Sequence, residues 1–467
     1  MRETSHLGGL VISVIAIAAA AVLVPPGASW RAATPARAAT PMPPVASASG
    51  ASPGTGAEST PQRPEITLDE AVRRALTVQP SMVQAKATST NAAAAVRSAW
   101  GAYTPTVTAS ASAAKSNVRR IDPTTGLSVP AQFTYTTGLS AGVDLFDGFR
   151  RIAQNHAASA AAEAATAGLH GEEYQTTLAT KQIFYNAAAE ADLVRVAESQ
   201  LTRAEQQFQV SVGKLRVGSA TRADSLSTLV DVGNARIALL QAQANLATAE
   251  ADLGRQVGSD EPVRAQADSL IPALPDTATL RSQALETAPS VVEAEANQRV
   301  AHAQLWSARS QYWPGLNLSY GSSRQDIGSP WATFDDTPIN SWRFGLSWTI
   351  FNGFQREATV VQAHTAEDVA VAQAADARRA LNANLTQQLA ALTTDYAQID
   401  IARANVAAAA EDFRVQNERY RVGASTIVDL TTAEAALTQA EVNLVQTRFN
   451  YLVSRAQVEA VTGRPLR

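Results

Sequence analysis

Two Ser-x-x-Lys groupings, Ser112-Ala113-Ala114-Lys115 and Ser211-Val212-Gly213-Lys214, are the only residues spaced like an activated nucleophile with its base. Neither is accompanied by the partner motifs such chemistry needs. The first lies in an alternating, strand-like stretch and the second beside a helical turn, so both are read as coincidence. The five histidines, His6, His156, His170, His302 and His364, show no metal-ligand spacing. The chain contains no cysteine, which removes disulfides, thiolate metal sites, a cysteine nucleophile and a lipidated N-terminal cysteine. No phosphate loop, dinucleotide fingerprint or zinc helix motif occurs. No catalytic residue, cofactor or metal is assigned, and any energy for work must come from a partner.

What the sequence does contain is a repeat. Leu145-Phe146-Asp147-Gly148-Phe149 returns as Ile350-Phe351-Asn352-Gly353-Phe354, with Gly148 and Gly353 205 residues apart. The same shift carries Phe208 onto Phe413, Val217-Gly218 onto Val422-Gly423, Asp224 onto Asp429 and Gly258 onto Gly463. Upstream the shift is 209, matching Pro80-Ser81 with Pro289-Ser290, and Tyr103 and Pro105 with Tyr312 and Pro314. A repeat this long is a whole structural half rather than a solenoid unit.

Composition sets the surroundings. A net charge of −4 offers no basic footprint for nucleic acid, and charged residues make up only 17% of the chain, so large surfaces must be merely polar or apolar. Residues 1–39 read as an export signal, with Arg2 ahead of an apolar run from Leu7 to Val24 and small residues at Ala36-Arg37-Ala38. The competing reading is an uncleaved membrane anchor. Residues 40–65, rich in Pro, Ala, Ser, Gly and Thr, form a lead-in that cannot bury a core. The first structural repeat then covers 66–258, a connector with Pro262, Pro272 and Pro275 covers 259–279, and the second repeat covers 280–467. No further C-terminal domain is expected.

Within the first repeat, Thr67 and Glu70 predict a capping box opening a helix over Leu68 to Val78, and Pro80 opens another that Pro105 closes. Two alternating stretches follow, Thr106 to Ser116 and Phe133 to Asp144, the second with Phe133, Tyr135, Leu139, Ala141 and Val143 on one face. The second repeat answers with Leu316, Leu318 and Tyr320, then Trp342, Phe344, Leu346, Trp348 and Ile350. Four strands cannot close a barrel, and open edges cannot sit in lipid, so spanning strands would have to be pooled by several chains. Their length suits a tilted membrane barrel. A soluble sandwich would alternate in the same way.

From Gly148 to about Gly213 no proline interrupts a helical pattern, and at 1.5 Å per residue such a run is about 100 Å long. After the Val217-Gly218 break a second helix runs to about Val257, and the second repeat copies both. Leu385, Leu389, Leu392, Tyr396, Ile399, Ala402, Val406, Ala409 and Phe413 alternate steps of four and three, the seam of a coiled coil.

On these residues the chain resembles the TolC-type outer membrane efflux protein family over about Ile66 to Gly463. The resemblance rests on the paired strand-to-helix turns at Gly148 and Gly353, the Tyr-x-Pro endings at Tyr103 and Tyr312, and two tip motifs, Arg216-Val217-Gly218 and Arg421-Val422-Gly423. It implies a mainly α protein with a membrane β-barrel: long α-helical hairpins forming a tunnel, and four strands per protomer in a twelve-stranded trimeric barrel. It implies an outer membrane location with a long periplasmic portion, and an exit duct for a tripartite efflux pump or type I secretion system. The implied partners are two further copies, a periplasmic adaptor, an inner-membrane transporter and outer membrane lipid.

The resemblance assigns adaptor docking to Arg216, Val217, Gly218, Arg421, Val422 and Gly423. It places Asp429 in an acidic ring at the periplasmic gate, with Thr432 where a second acid is usual. It makes Asp224 and Tyr420 a latch pair. Ser425 stands where some members carry a gating arginine, for which Arg222, Arg216 or Arg421 could substitute. Tyr135, Leu139, Trp342, Phe344, Leu346 and Trp348 fall on the membrane face, with Trp342 and Trp348 as belt residues or as packing against a neighbouring protomer, and Trp331 and Phe334 in an outer loop. The alternative is a periplasmic or surface coiled-coil scaffold without a pore.

Overall fold

The computed structural model of the chain describes residues 64–466 except 116–119, 122–123, 125, 127, 130–131, 267–270, 277–280, 282–286 and 328–336. The export signal, nearly all of the lead-in, and Trp331 and Phe334 lie outside the described residues. In chain order the elements are β1 (Glu65–Ile66), α1 (Leu68–Val78), α2 (Pro80–Gly101), β2 (Thr106–Lys115), β3 (Arg120–Ile121), β4 (Ser128–Val129) and β5 (Phe133–Phe146). They continue with α3 (Arg150–Arg216), α4 (Arg222–Val257), β6 (Arg264–Ala265), α5 (Pro289–Arg309), β7 (Gly315–Ile327), β8 (Ile339–Ser347), α6 (Gln355–Arg421) and α7 (Ile427–Thr462).

The two longest helices, α3 and α6, are 67 residues each, and about 1.5 Å of rise per residue makes each about 100 Å long. Each folds back on a 36-residue partner, α3 on α4 and α6 on α7. Above those partners, α2 lies against α3 and α5 lies between α3 and α6, so each long helix is paired with a broken one. The cores are narrow seams. Phe184, Leu253 and Val257 fill one near β1 and β6; Leu392, Ile399, Tyr451 and Val458 fill its counterpart in the second repeat. The connector contributes local structure: β6 pairs parallel with β1, setting Arg264 against Glu65. No helix among the described residues is long and apolar enough to cross a membrane.

Strands β2, β5, β7 and β8 form one antiparallel sheet in that order. Across it Val107, Ala141, Tyr320 and Trp342 align on one face, whereas Thr108, Ser140, Gly321 and Ser341 align on the other. The sheet is therefore greasy on one side and polar on the other, with β2 and β8 as its two edges. The repeat reappears in the registers: Thr106 pairs with Gly142, and the residues 209 and 205 further on, Gly315 and Ser347, pair in turn.

Two local expectations need correction. Thr67 caps α1 without a side-chain hydrogen bond, because Glu70 turns its carboxylate to Arg74 (2.7 Å) and Arg73 instead of back to the helix start. The last strand stops at Ser347 rather than Ile350, and the Trp348 indole N–H donates to the Tyr312 carbonyl (3.2 Å), tying that residue to the turn below.

Candidate functional site

Each helical hairpin reverses by the same backbone device. At the first tip, Gly218 N–H donates to Leu215 O (3.1 Å) and Ser219 N–H to Lys214 O (2.9 Å); at the second, Gly423 donates to Tyr420 O (3.1 Å) and Ala424 to Arg419 O (2.8 Å). This is the Schellman pattern, and it requires the left-handed φ of 77° at Gly218 and 82° at Gly423. Nothing lies within 4 Å of where a Cβ would sit on either glycine, so conformation alone selects glycine, and the backbone stays open to approach. Arg216, Val217, Arg421 and Val422 surround it as exposed side chains, Arg421 with Glu418 at 3.4 Å.

The acids assigned to the gate close capping boxes. Asp224 Oδ2 accepts from Thr221 N–H (2.9 Å) while Thr221 Oγ1 accepts from Asp224 N–H (3.1 Å). Asp429 Oδ2 accepts from Thr426 Oγ1 (2.7 Å), Thr426 N–H (3.0 Å) and Ser425 Oγ (3.2 Å). These donors, the Thr426 hydroxyl foremost, hold the exposed Asp429 carboxyl below its ordinary range. Ser425, where the resemblance would put an arginine, donates its hydroxyl to this carboxylate instead.

Tyr420 is 5% exposed, and its hydroxyl is buried without a hydrogen bond. Burial, and then the Asp224 carboxylate, push its pKa upward, so Asp224 is near enough to be felt but not bonded. Beyond its own turn, Tyr420 meets Lys214, whose ammonium donates to its carbonyl and lies 4.0 Å from its ring centre. Lys214 thereby ties the end of the first hairpin to the end of the second. Its place in a Ser-x-x-Lys grouping pointed elsewhere; the useful signal was a cation one turn before the tip glycine.

Further from the tips, α3 and α7 share an ionic joint. Arg203 reaches Glu441 at 3.0 Å, Thr438 at 3.2 Å and Glu434 at 3.9 Å. Burial raises the Glu434 pKa against the opposing pull of Gln207 and Arg203, and Asp231 raises it further.

The strand-to-helix turns carry two successive left-handed residues each: Gly148 and Phe149 (φ 69° and 67°), then Gly353 and Phe354 (68° and 64°). At Gly148 a Cβ would fall 2.5 Å from Ser310 O, so this glycine is demanded by space as well as by φ. Arginines missed by the sequence reading hold both turns. The Arg151 guanidinium lies 4.9 Å from the Tyr103 ring centre and donates to Leu145 O (3.2 Å); Arg356 lies 4.1 Å from Tyr312 and donates to Thr349 O (3.2 Å). The 205-residue shift relates the two, which is the signal that could have found them.

On the sheet, Trp342 packs beside Tyr320 with ring centres 4.8 Å apart, Phe344 lies opposite Leu318, and Leu346 opposite Leu316. These three side chains and Leu139 are exposed and Tyr135 is half-buried. His170, His302 and His364 each meet a single carboxylate, at 3.0, 2.5 and 3.1 Å.

The family described as Outer membrane efflux protein matches residues 71–259 and 280–464, one span on each repeat. The chain belongs to that family. It is 25% identical over 375 residues to the toluene efflux pump outer membrane protein TtgC of Pseudomonas putida, covering 77% of this chain and 75% of that one. It is 24% identical over 326 residues to the outer membrane protein TolC of Escherichia coli, covering 64% of each. Among solved structures, the outer membrane protein VceC of Vibrio cholerae superposes with a TM-score of 0.73 at 18% identity, over 86% of this chain and 97% of that one. The protein is accordingly an outer membrane efflux channel, with its strands in the membrane part and its long helices in the periplasmic part.

Proposed function

We propose that three copies of the chain assemble into one duct, each giving four strands to a twelve-stranded barrel and its helical hairpins to a periplasmic tunnel. The duct serves as the exit of a tripartite efflux pump or a type I secretion system. The observation that carries this reading is the sheet itself: four long antiparallel strands, apolar on one face and polar on the other, with both edges open, at the head of helices about 100 Å long. Such a sheet satisfies its edges in lipid only by joining others.

In this reading a periplasmic adaptor docks at the tips, where Gly218 and Gly423 leave the backbone bare between Arg216, Val217, Arg421 and Val422, and an inner-membrane transporter supplies the energy. Asp429 stays ionised at neutral pH because its capping donors favour the charged form. Three copies of it around a narrow aperture attract cations and repel anions. Lys214 and Tyr420 hold the two hairpin ends together within each copy, with the Asp224 carboxylate close by. Residues 1–39 direct export and are removed.

Planar-bilayer conductance of the mature protein tests this, comparing wild type with Asp429→Ala under titration with divalent and trivalent cations. A stable pore whose cation block weakens in the variant is the expected result. Correctly assembled trimers that give no pore would turn the reading to a coiled-coil scaffold.

A further inference from the structure

The chain holds one Asn-Gly step and one Asp-Gly step, and the 205-residue shift relates them: Asn352-Gly353 and Asp147-Gly148 make the two strand-to-helix turns. The same bond therefore stands in two surroundings. At the first turn Gly148 is buried and crowded by Ser310, and the Asp147 side chain, 9% exposed, is paired with Arg151 at 3.3 Å. At the second, Gly353 is exposed with nothing within 4 Å of its Cβ position, and Asn352 lines a cleft with Asp144, Asp147, Arg150 and Arg356. Among the described residues nothing accepts from the Gly353 N–H.

We propose that Asn352 is a site of spontaneous deamidation, with the Gly353 nitrogen as nucleophile and water as the co-reactant. The nitrogen bonds to Asn352 Cγ and the Cγ–Nδ2 bond breaks; the amide proton of Gly353 leaves with Nδ2 as ammonia, and a cyclic imide remains. Water then opens the imide. Cleavage at Cγ gives aspartate on an ordinary backbone, and cleavage at the main-chain carbonyl gives isoaspartate. Glycine suits the attack because it has no Cβ to crowd its nitrogen. Asn352 Oδ1 already accepts from the Arg356 N–H (3.3 Å) in the first turn of α6. A donor at the positive end of a helix stabilises the oxyanion that forms on that oxygen as the nitrogen adds.

The product has a place prepared for it. Asp147 shows the aspartate form of this turn: its Oδ2 accepts from the Arg151 N–H (3.0 Å), as Asn352 accepts from Arg356, and it faces the Arg151 guanidinium. Arg356, lacking an acid at the matching position, pairs with Glu357 (3.1 Å), whose counterpart 205 residues earlier is Ile152. Conversion thus adds one negative charge to the cleft and offers Arg356 a second carboxylate. Asp147 resists the same cyclisation, because a carboxylate held by Arg151 is a poor electrophile and Gly148 has no room to move. The reaction needs one copy only and is independent of the duct.

Purified full-length protein, kept folded in detergent at mildly alkaline pH and sampled over days, is digested with trypsin and read by mass spectrometry on the peptide Phe344–Arg356. The expected result is conversion of Asn352 to aspartate and isoaspartate several-fold faster than at any other asparagine of the chain, with Asp147 remaining ordinary aspartate. Gly353→Ala, whose new methyl meets no neighbour, should slow the conversion several-fold. Asn352→Asp should fold and reach the membrane as wild type does. Folded protein that keeps the Asn352 carboxamide while the urea-unfolded chain loses it at the same pH overturns the site, as does conversion no faster than at the other asparagines. Isoaspartate forming equally at Asp147 overturns the role given to the surroundings, and failure of Asn352→Asp to fold overturns the prepared place for the product.

Discussion

At the tips, single residues are fixed by backbone conformation more than by contact. Gly218 and Gly423 hold left-handed φ values with open space where a side chain would go. Replacing either by alanine therefore costs about 1–2 kcal/mol of backbone strain and no steric clash. Gly218→Ala is expected to raise amide hydrogen exchange across the last turn of α3 and the first turn of α4 and to leave exchange in the sheet unchanged. Equal exchange at the tip in variant and wild type would show the turn to be insensitive to that strain. The contrast with Gly148 is instructive. There φ and a carbonyl oxygen 2.5 Å from the Cβ position act together, and alanine must displace the chain around Ser310.

Among the elements, the α3–α7 joint contains an acid that makes its strength depend on pH. Glu434 is buried beside Asp231, and its carboxyl is raised above the ordinary glutamate range. The sign follows from linkage: a raised acid contributes stability that is complete below its unfolded pKa and lost as pH rises through the folded one. Thermal unfolding should show wild type losing stability between mildly acidic and neutral pH, and Glu434→Gln losing less over the same window. An unchanged slope in the variant would assign the dependence to other groups. Much of this level was legible beforehand. The ends of α1, the 67-residue helices and the four strands follow from proline placement and from periods of two and three and a half. The Thr67 capping box failed because Arg74 offered Glu70 a better partner one turn along. Lys214, Arg151 and the Arg203 joint escaped notice because each meets residues of another element. Arg203 and Glu441 are 238 positions apart, and no local pattern records that meeting.

On the scale of the whole molecule, the greasy face of the sheet sets where the protein resides. Phe344 and Leu346 are about 70% exposed in the single copy and face away from the polar side. An arginine placed on a lipid-facing strand near the bilayer midplane costs about 2–4 kcal/mol. Phe344→Arg, near the middle of β8, is expected to reduce the outer membrane fraction several-fold, with Ser341→Arg, on the opposite face, far less affected. Equal membrane recovery of both variants would mean that the apolar side does not meet lipid. The family assignment could be read from the sequence because the repeat places its turns and tips in matched positions. The tip and gate roles came from the resemblance alone, and as proposed they involve a neighbouring copy and a partner, so contacts within one copy do not record them.

The two open edges also govern when the molecule can fold. Helices α3 and α4 meet through a short turn and can settle soon after they are made, because their contacts are near in sequence. Strands β2 and β8 have no such option: each exposes a row of unpaired backbone groups until another chain arrives, an invitation to aggregation while the chain waits in water. In the proposed three-copy duct such edges join in turn with no built-in stopping point, and only curvature that returns the last strand to the first distinguishes a ring from a fibre. In that duct the sheet is best completed late, at the bilayer, with the finished helical hairpins already setting the angle at which the proposed ring closes.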